Sequence, residues 1–152
     1  MSGVVAPCSG AVLPMSQCVD AVFAGQIVGP GLVIDPPDGE ATVVSPIAGT
    51  IVKVHPHAFV VAGGEVGILV HLGINTVRLE GQGFRVHVEQ GASVAAGDPV
   101  ITWNPATLPD DVGGEPISRQ VPVVALDVPA DSLDLSGAPE QVCAGDPLFA
   151  AR

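Results

Sequence analysis

Apolar residues in this chain come in short bursts, and nearly every burst is closed by Gly, Pro or Asp. Val, Ile and Thr are frequent within them, and β-branched side chains suit a pleated, half-buried backbone. The pattern predicts strands at residues 4–6, 10–13, 25–28, 32–35, 42–44, 49–54, 58–61, 66–71, 76–80, 84–88, 99–103, 121–125 and 147–150. No window of ten or more residues carries a helical stripe free of Gly or Pro. Single helical turns are expected only at 106–111 and 132–135, and the polar segment 105–116 reads as irregular. The expected fold is all-β.

Two sequence echoes refine that expectation. Val4-Val5-Ala6-Pro7-Cys8-Ser9-Gly10-Ala11-Val12 repeats as Val43-Val44-Ser45-Pro46-Ile47-Ala48-Gly49-Thr50-Ile51. Ala96-Gly97-Asp98-Pro99-Val100-Ile101 repeats as Ala144-Gly145-Asp146-Pro147-Leu148-Phe149. Each unit reads as strand, turn, strand, because proline cannot continue a ladder and glycine supplies the positive φ of a tight turn. The copies are not contiguous, which favours an internally duplicated antiparallel β-sandwich over a solenoid. The G-D-P units resemble the hammerhead turns of lipoyl- and biotinyl-type barrel-sandwiches.

Composition narrows the function. The 152 residues suffice for one domain spanning 1–152, 47% of them are apolar, and only 3% are aromatic, so Val, Ile, Leu and Ala must build the core. The formal charge is −11, and the basic residues Lys53, Arg78, Arg85, Arg119 and Arg152 are scattered, which excludes nucleic acid as a partner. The acidity favours docking on basic protein surfaces, or serves solubility alone. The N-terminus has no signal-peptide pattern and no run is long enough to span a membrane. Cys8, Cys18 and Cys143 show no CxxC spacing and read as reduced thiols. A cytoplasmic protein without a cofactor is expected.

The candidate chemistry lies in two histidines. His71 ends the run Gly67-Ile68-Leu69-Val70 and precedes Leu72-Gly73-Ile74-Asn75, while His57 follows His55-Pro56 after a similar run. A neutral imidazole is one of the few side chains that is nucleophilic near pH 7. His87, alternating with Val86 and Val88, is expected to face solvent.

These pieces carry a resemblance that covers nearly the whole chain. The opening V-x-A-P-x-S-G, the segment from Asp20 to Gly31, Val44-Ser45-Pro46-Ile47-Ala48-Gly49-Thr50-Ile51, Pro56-His57-Ala58-Phe59, His71-Leu72-Gly73-Ile74-Asn75-Thr76-Val77 and Leu79-Glu80-Gly81-Gln82-Gly83-Phe84 stand in order, ending with Gly91 to Asp98. The chain resembles the glucose-type enzyme IIA domain of the bacterial phosphoenolpyruvate-dependent sugar phosphotransferase system. The resemblance implies a phosphocarrier. Its partners would be the histidine-containing phosphocarrier protein, which gives a phosphoryl group, and a cysteine of the sugar-specific IIB/IIC permease, which takes it. It makes His71 the phospho-acceptor through Nε2 and His57 the residue that stabilises the phosphoryl oxygens. The carbonyl of Gly73 would orient His71, with Asn75 beside it. Asp20, Val22, Phe23, Leu69 and Val77 would form the partner-binding rim. Regulated enzymes or transporters are further implied partners, some through a zinc ion shared between the two histidines and a partner carboxylate; no metal is expected otherwise. The family usually has Asp at position 75. His55 either replaces a threonine that bonds the supporting histidine or is simply exposed.

The competing class is a zinc peptidase of the lysostaphin type, which uses an H-x-H pair and an H-x-x-x-D motif. His55-Pro56-His57 and the span His71 to Asn75 imitate it, but Asn is a poor zinc ligand and the motif order is reversed.

Overall fold

The computed structural model describes every residue except Met1, Ile27, Glu65, Ala130, Ser136 and Arg152. The first half of the chain contains β1 (Ser2–Val5), β2 (Gly10–Pro14), helix α1 (Ala21–Ala24), β3 (Gly31–Asp35), β4 (Ala41–Val44), β5 (Gly49–His55), β6 (Ala58–Gly63) and β7 (Val66–His71). Then follow β8 (Phe84–Val86), β9 (Ser93–Val94), β10 (Pro99–Trp103), β11 (Asp111–Val112) and β12 (Glu115–Pro116). The chain closes with β13 (Val121–Leu126), β14 (Leu133–Asp134), β15 (Gln141–Val142) and β16 (Pro147–Ala151). All the paired strands run antiparallel.

An eight-stranded sheet, in the order β15-β2-β3-β13-β7-β6-β5-β9, faces two three-stranded sheets, β1-β16-β14 and β4-β10-β8. The main core fills the space between them. It joins Ile34, Ile51, Phe59, Ile68 and Val70 of the large sheet to Val4, Leu148, Val43, Val100 and Ile101 of the small ones. The fold is therefore the all-β sandwich expected from the pattern.

The duplication is visible in hydrogen bonds that mirror one another. Val5 N–H donates to the Pro46 carbonyl at 2.9 Å, and Val44 N–H donates to the Pro7 carbonyl at 2.8 Å. Likewise Ala6 N–H meets the Asp146 carbonyl at 2.7 Å, and Ser45 N–H meets the Asp98 carbonyl at 2.8 Å. Asp98 and Asp146 each close their own turn by accepting, at 2.8 Å, from the N–H of Ala95 and Cys143 respectively. Equivalent glycines permit the strands to cross closely. A Cβ on Gly10 would stand 2.3 Å from the Asp35 carbonyl oxygen, and one on Gly49 would stand 2.2 Å from that of Ala62.

The large sheet is covered on its other face too, over β3, β13 and β7. There Met15, Cys18, Phe23, Val33, Ile74 and Val124 form a second buried cluster, with Leu69 packed against it. Side chains alternate along β7, so Ile68 and Val70 enter the main core while Leu69 and His71 share the opposite face. Strand parity thus delivers His71 to the second cluster.

Four local expectations are corrected. The strand at 25–28 is absent: α1 ends at Ala24, Gly25 and Gln26 form a turn, Val28 lies in a bend, and Ile27 lies outside the described residues. Asp20 drives this outcome, because its carboxylate caps the helix start. The strand at 76–80 is a 3-10 turn, Thr76–Leu79, flanked by the left-handed residues Asn75 (φ 64) and Glu80 (φ 53). The helical turn at 132–135 is instead β14, which pairs with β16 at the sheet edge. The segment 105–116 is ordered, with a 3-10 turn at Pro105–Thr107 and the hairpin β11–β12; the rest of the helical expectation at 106–111 is not helical.

Candidate functional site

His71 is the last residue of β7 and pairs in register with Ala58 at the start of β6. The turn from β5 into β6 contains His57, and the Leu72 N–H donates to the His57 carbonyl at 2.7 Å. That bond fixes the two histidines side by side. Their ring centroids lie 5.2 Å apart, with the planes inclined at 71°.

The nitrogen roles at His71 follow from one contact. Its Nδ1 lies 2.5 Å from the Gly73 carbonyl oxygen. A carbonyl can only accept, so Nδ1 carries the hydrogen, and the neutral ring keeps its lone pair on Nε2. Gly73 reaches this position because it adopts φ +81, and a Cβ there would stand 2.5 Å from Thr76 Cγ2 and 2.7 Å from the Ser118 carbonyl oxygen. The loop is held from three sides. Thr76 Oγ1 donates to the Leu72 carbonyl at 2.7 Å, Ile74 N–H donates to the Ser118 carbonyl at 2.9 Å, and Asn75 Nδ2 donates to the Pro116 carbonyl at 2.8 Å. Asn75 therefore braces the loop against β12 and makes no hydrogen bond to the imidazole.

Burial is the largest influence on both rings, and it disfavours their charged forms. It pushes the proton affinity of His71 below the usual histidine value, while the Gly73 carbonyl and the Asp20 carboxylate pull partly in the other direction. For His57 burial leads again, the nearby His71 and His55 add to it, and the pKa falls to about 4. Both rings are neutral at pH 7. His55 is exposed and stacks on His57, with centroids 5.8 Å apart and planes at 22°.

The surroundings are apolar on one side and acidic at one edge. Phe23 is buried and its ring centroid lies 5.5 Å from that of His71. Asp20 Oδ1 accepts from Val22 N–H at 2.8 Å, which makes it the cap of α1 as well as the carboxylate acting on His71. Val22 and Val77 are exposed, Leu69 is half-buried, and Val19, beside Asp20 and outside the sequence expectation, is 65% exposed. Beside it lies a hollow of about 550 Å³ lined by Val19, Asp20, Ala21, Ile74, Asn75 and residues 116–118. Pro116 and Ser118 lie outside the sequence pattern, because they act through contacts across some forty residues that no local feature announces, whereas Thr76 acts locally on Leu72. His87 is exposed as expected, yet its Nε2 contacts Thr102 Oγ1 at 2.6 Å.

The arrangement does not suit a resident metal. Among the described residues no group of three or more His, Cys, Asp or Glu is disposed to hold one. His57 and His71 alone would supply two nitrogens, leaving a shared zinc ion dependent on a carboxylate from elsewhere. A zinc peptidase needs three protein ligands and an activated water, so that reading finds no support.

The sequence profile of the phosphoenolpyruvate-dependent sugar phosphotransferase system, EIIA 1, matches residues 2–128. The chain belongs to this family. Both histidines and the whole bracing loop fall inside the matched span of this EIIA chain. It is 43% identical over 104 residues to the glucose-specific EIIA component of Bacillus cereus, covering 66% of this chain and 62% of that relative. The EIIA chain thus spans less than two thirds of the relative's length. It is also 47% identical over 102 residues to the N-acetylglucosamine-specific EIICBA component of Escherichia coli, covering 64% of this chain and 15% of that much longer protein. In three dimensions it is similar to glucose permease IIA from Mycoplasma capricolum, with a TM-score of 0.83, 29% identity, and 97% and 93% of the two chains covered. Among the described residues no helix is long and apolar enough to cross a membrane.

Proposed function

We propose that the protein is a phosphocarrier of a sugar phosphotransferase system, with His71 as phospho-acceptor and His57 as its partner. The observation that carries this reading is the Gly73 carbonyl at His71 Nδ1, which leaves Nε2 as a free nucleophile beside a second imidazole.

In the accepting step, Nε2 of His71 attacks the phosphorus held by a phosphohistidine of the histidine-containing phosphocarrier protein. A new N–P bond forms as the donor's N–P bond breaks, and the donor imidazole leaves with the electron pair. In the onward step a cysteine thiolate of a IIB domain attacks, an S–P bond forms as the N–P bond to His71 breaks, and the neutral imidazole leaves with the electron pair on Nε2. His57 donates a hydrogen bond to the phosphoryl oxygens and offsets their charge in the transition state. Positioning by the two protein partners supplies most of the acceleration. The names of relatives such as the EIICBA component, which join A to B and C units, support a IIB/IIC permease as recipient. The apolar group of Val19, Val22, Phe23, Leu69 and Val77, with Asp20 at its edge, is the docking rim. We place the protein in the cytoplasm, where such partners act.

The test is phosphorylation by phosphoenolpyruvate, enzyme I and the phosphocarrier protein. Acid-labile, base-stable label is expected on the wild type and on His57→Ala, and none on His71→Ala. His57→Ala should pass its label to a IIB domain about 100-fold more slowly. Label retained by His71→Ala would overturn the assignment.

A further inference from the structure

A second polar site lies on the small sheet β4-β10-β8, apart from the histidine pair. Thr42, Thr102 and Arg85 stand side by side across its three strands, because Thr102 is in register with both Thr42 and Arg85. His87 follows Arg85 at the next position on that face, and its N–H pairs with the Val100 carbonyl at 2.8 Å. These four residues, with Ser93 and Asp98, line an open cleft of about 570 Å³.

The cleft is wired internally. His87 Nε2 lies 2.6 Å from Thr102 Oγ1, which in turn lies 3.0 Å from Thr42 Oγ1. Thr102 is 6% exposed, so its hydroxyl holds both neighbours in place from beneath. In one direction of this chain Thr42 donates to Thr102, Thr102 donates to Nε2, and the hydrogen of the imidazole sits on Nδ1. None of the described residues hydrogen-bonds that Nδ1. An oxyanion accepts and does not donate, so it selects this direction and receives the Nδ1 hydrogen.

Arg85 supplies the charge. Arg78 and Arg119 are committed to Glu115 and Asp38, but among the described residues Arg85 has no ion pair. In a chain of net charge −11 an unpaired guanidinium beside an imidazole and three hydroxyls is a local exception. Guanidinium groups bind phosphate through two parallel hydrogen bonds. Asp98 is the carboxylate within the cleft, and one of its oxygens is engaged by Ala95 N–H at 2.8 Å; Glu40 adjoins Arg85 in the neighbouring hollow. More distant acidic groups are screened beyond about 8 Å at physiological salt.

We propose that this cleft binds a small phosphate monoester, with Arg85 and His87 holding the phosphate and Thr42, Ser93 and Asp98 facing the hydroxylated remainder. Backbone NMR titration with inorganic phosphate, a hexose 6-phosphate and the free hexose tests it. Saturable shifts at residues 42, 85, 87 and 102 are expected with the hexose 6-phosphate, weaker ones with phosphate, and none with the free hexose. Arg85→Gln should weaken binding about tenfold or more, and Thr102→Val, nearly isosteric, should also weaken it. The shifts should persist in His71→Ala, which removes the reactive imidazole and separates this site from the carrier function. Absence of saturable shifts at 10-fold molar excess and above, shifts indifferent to Arg85→Gln, or loss of all of them in His71→Ala would overturn the proposal.

Discussion

Gly73 and His57 show how much of the site's chemistry is set one residue at a time. Any side chain at Gly73 meets Thr76 and Ser118 in a backbone conformation that L residues rarely adopt. Gly73→Ala is expected to cost about 2 kcal/mol in stability and to displace the carbonyl that fixes the His71 tautomer. Urea unfolding and the rate of phosphoryl acceptance would both register it. For His57 the folded pKa of about 4 lies below the unfolded value near 6.5. Between those values the unfolded chain binds more protons than the native one, so stability rises with pH through that window and falls as pH drops through it. His57→Gln is expected to flatten this dependence, read as urea midpoints at pH 4.5, 5.5 and 7.

Among elements, the 3-10 turn after β7 and the hairpin β11–β12 act together. Asn75 donates to the Pro116 carbonyl, and Arg78 forms a two-pronged ion pair with Glu115 on the same hairpin. Both members of the ion pair are about half exposed, at 49% and 46%, so it contributes no more than about 1 kcal/mol. The Ile74–Ser118 bridge, buried at Ile74, pairs the loop to residue 118 in both directions, with N–H to carbonyl distances of 2.9 and 3.3 Å. A carboxylate cannot donate to a carbonyl, which is a physical reason for Asn at this position. Asn75→Asp should therefore loosen the hairpin, seen as faster amide exchange at residues 115, 117 and 118, while leaving His71 in place.

At the scale of the molecule, acidity and duplication serve different ends. A charge of −11 would accelerate encounters with any basic partner. The rate of phosphoryl transfer from the carrier protein is expected to fall steeply with added salt, while the transferred fraction at equilibrium stays the same. Stopped-flow transfer at 50 and 500 mM salt distinguishes the two. Duplication supplies rigidity: the mirrored bonds around Pro7 and Pro46 lock the small sheets over the main core, so the large sheet can present β7 as a fixed platform.

The spacing of Val, Gly and Pro determined most of the strands and the duplicated strand–turn–strand units, because period-two burial and proline breaks are local properties. His71 was legible too, since a histidine closing an apolar strand before a glycine loop is a local pattern. At residues 25–28 and 76–80 a carboxylate cap at Asp20 and left-handed turns at Asn75 and Glu80 outweigh the β-branched propensity that favours strands there. Only the tertiary structure could decide that Pro116 and Ser118 brace the loop, that His55 stacks on His57, and that Thr102 links Thr42 to His87. Those contacts join residues distant along the chain or separated by a turn, and what brings them together is the burial of two apolar clusters on opposite faces of one sheet.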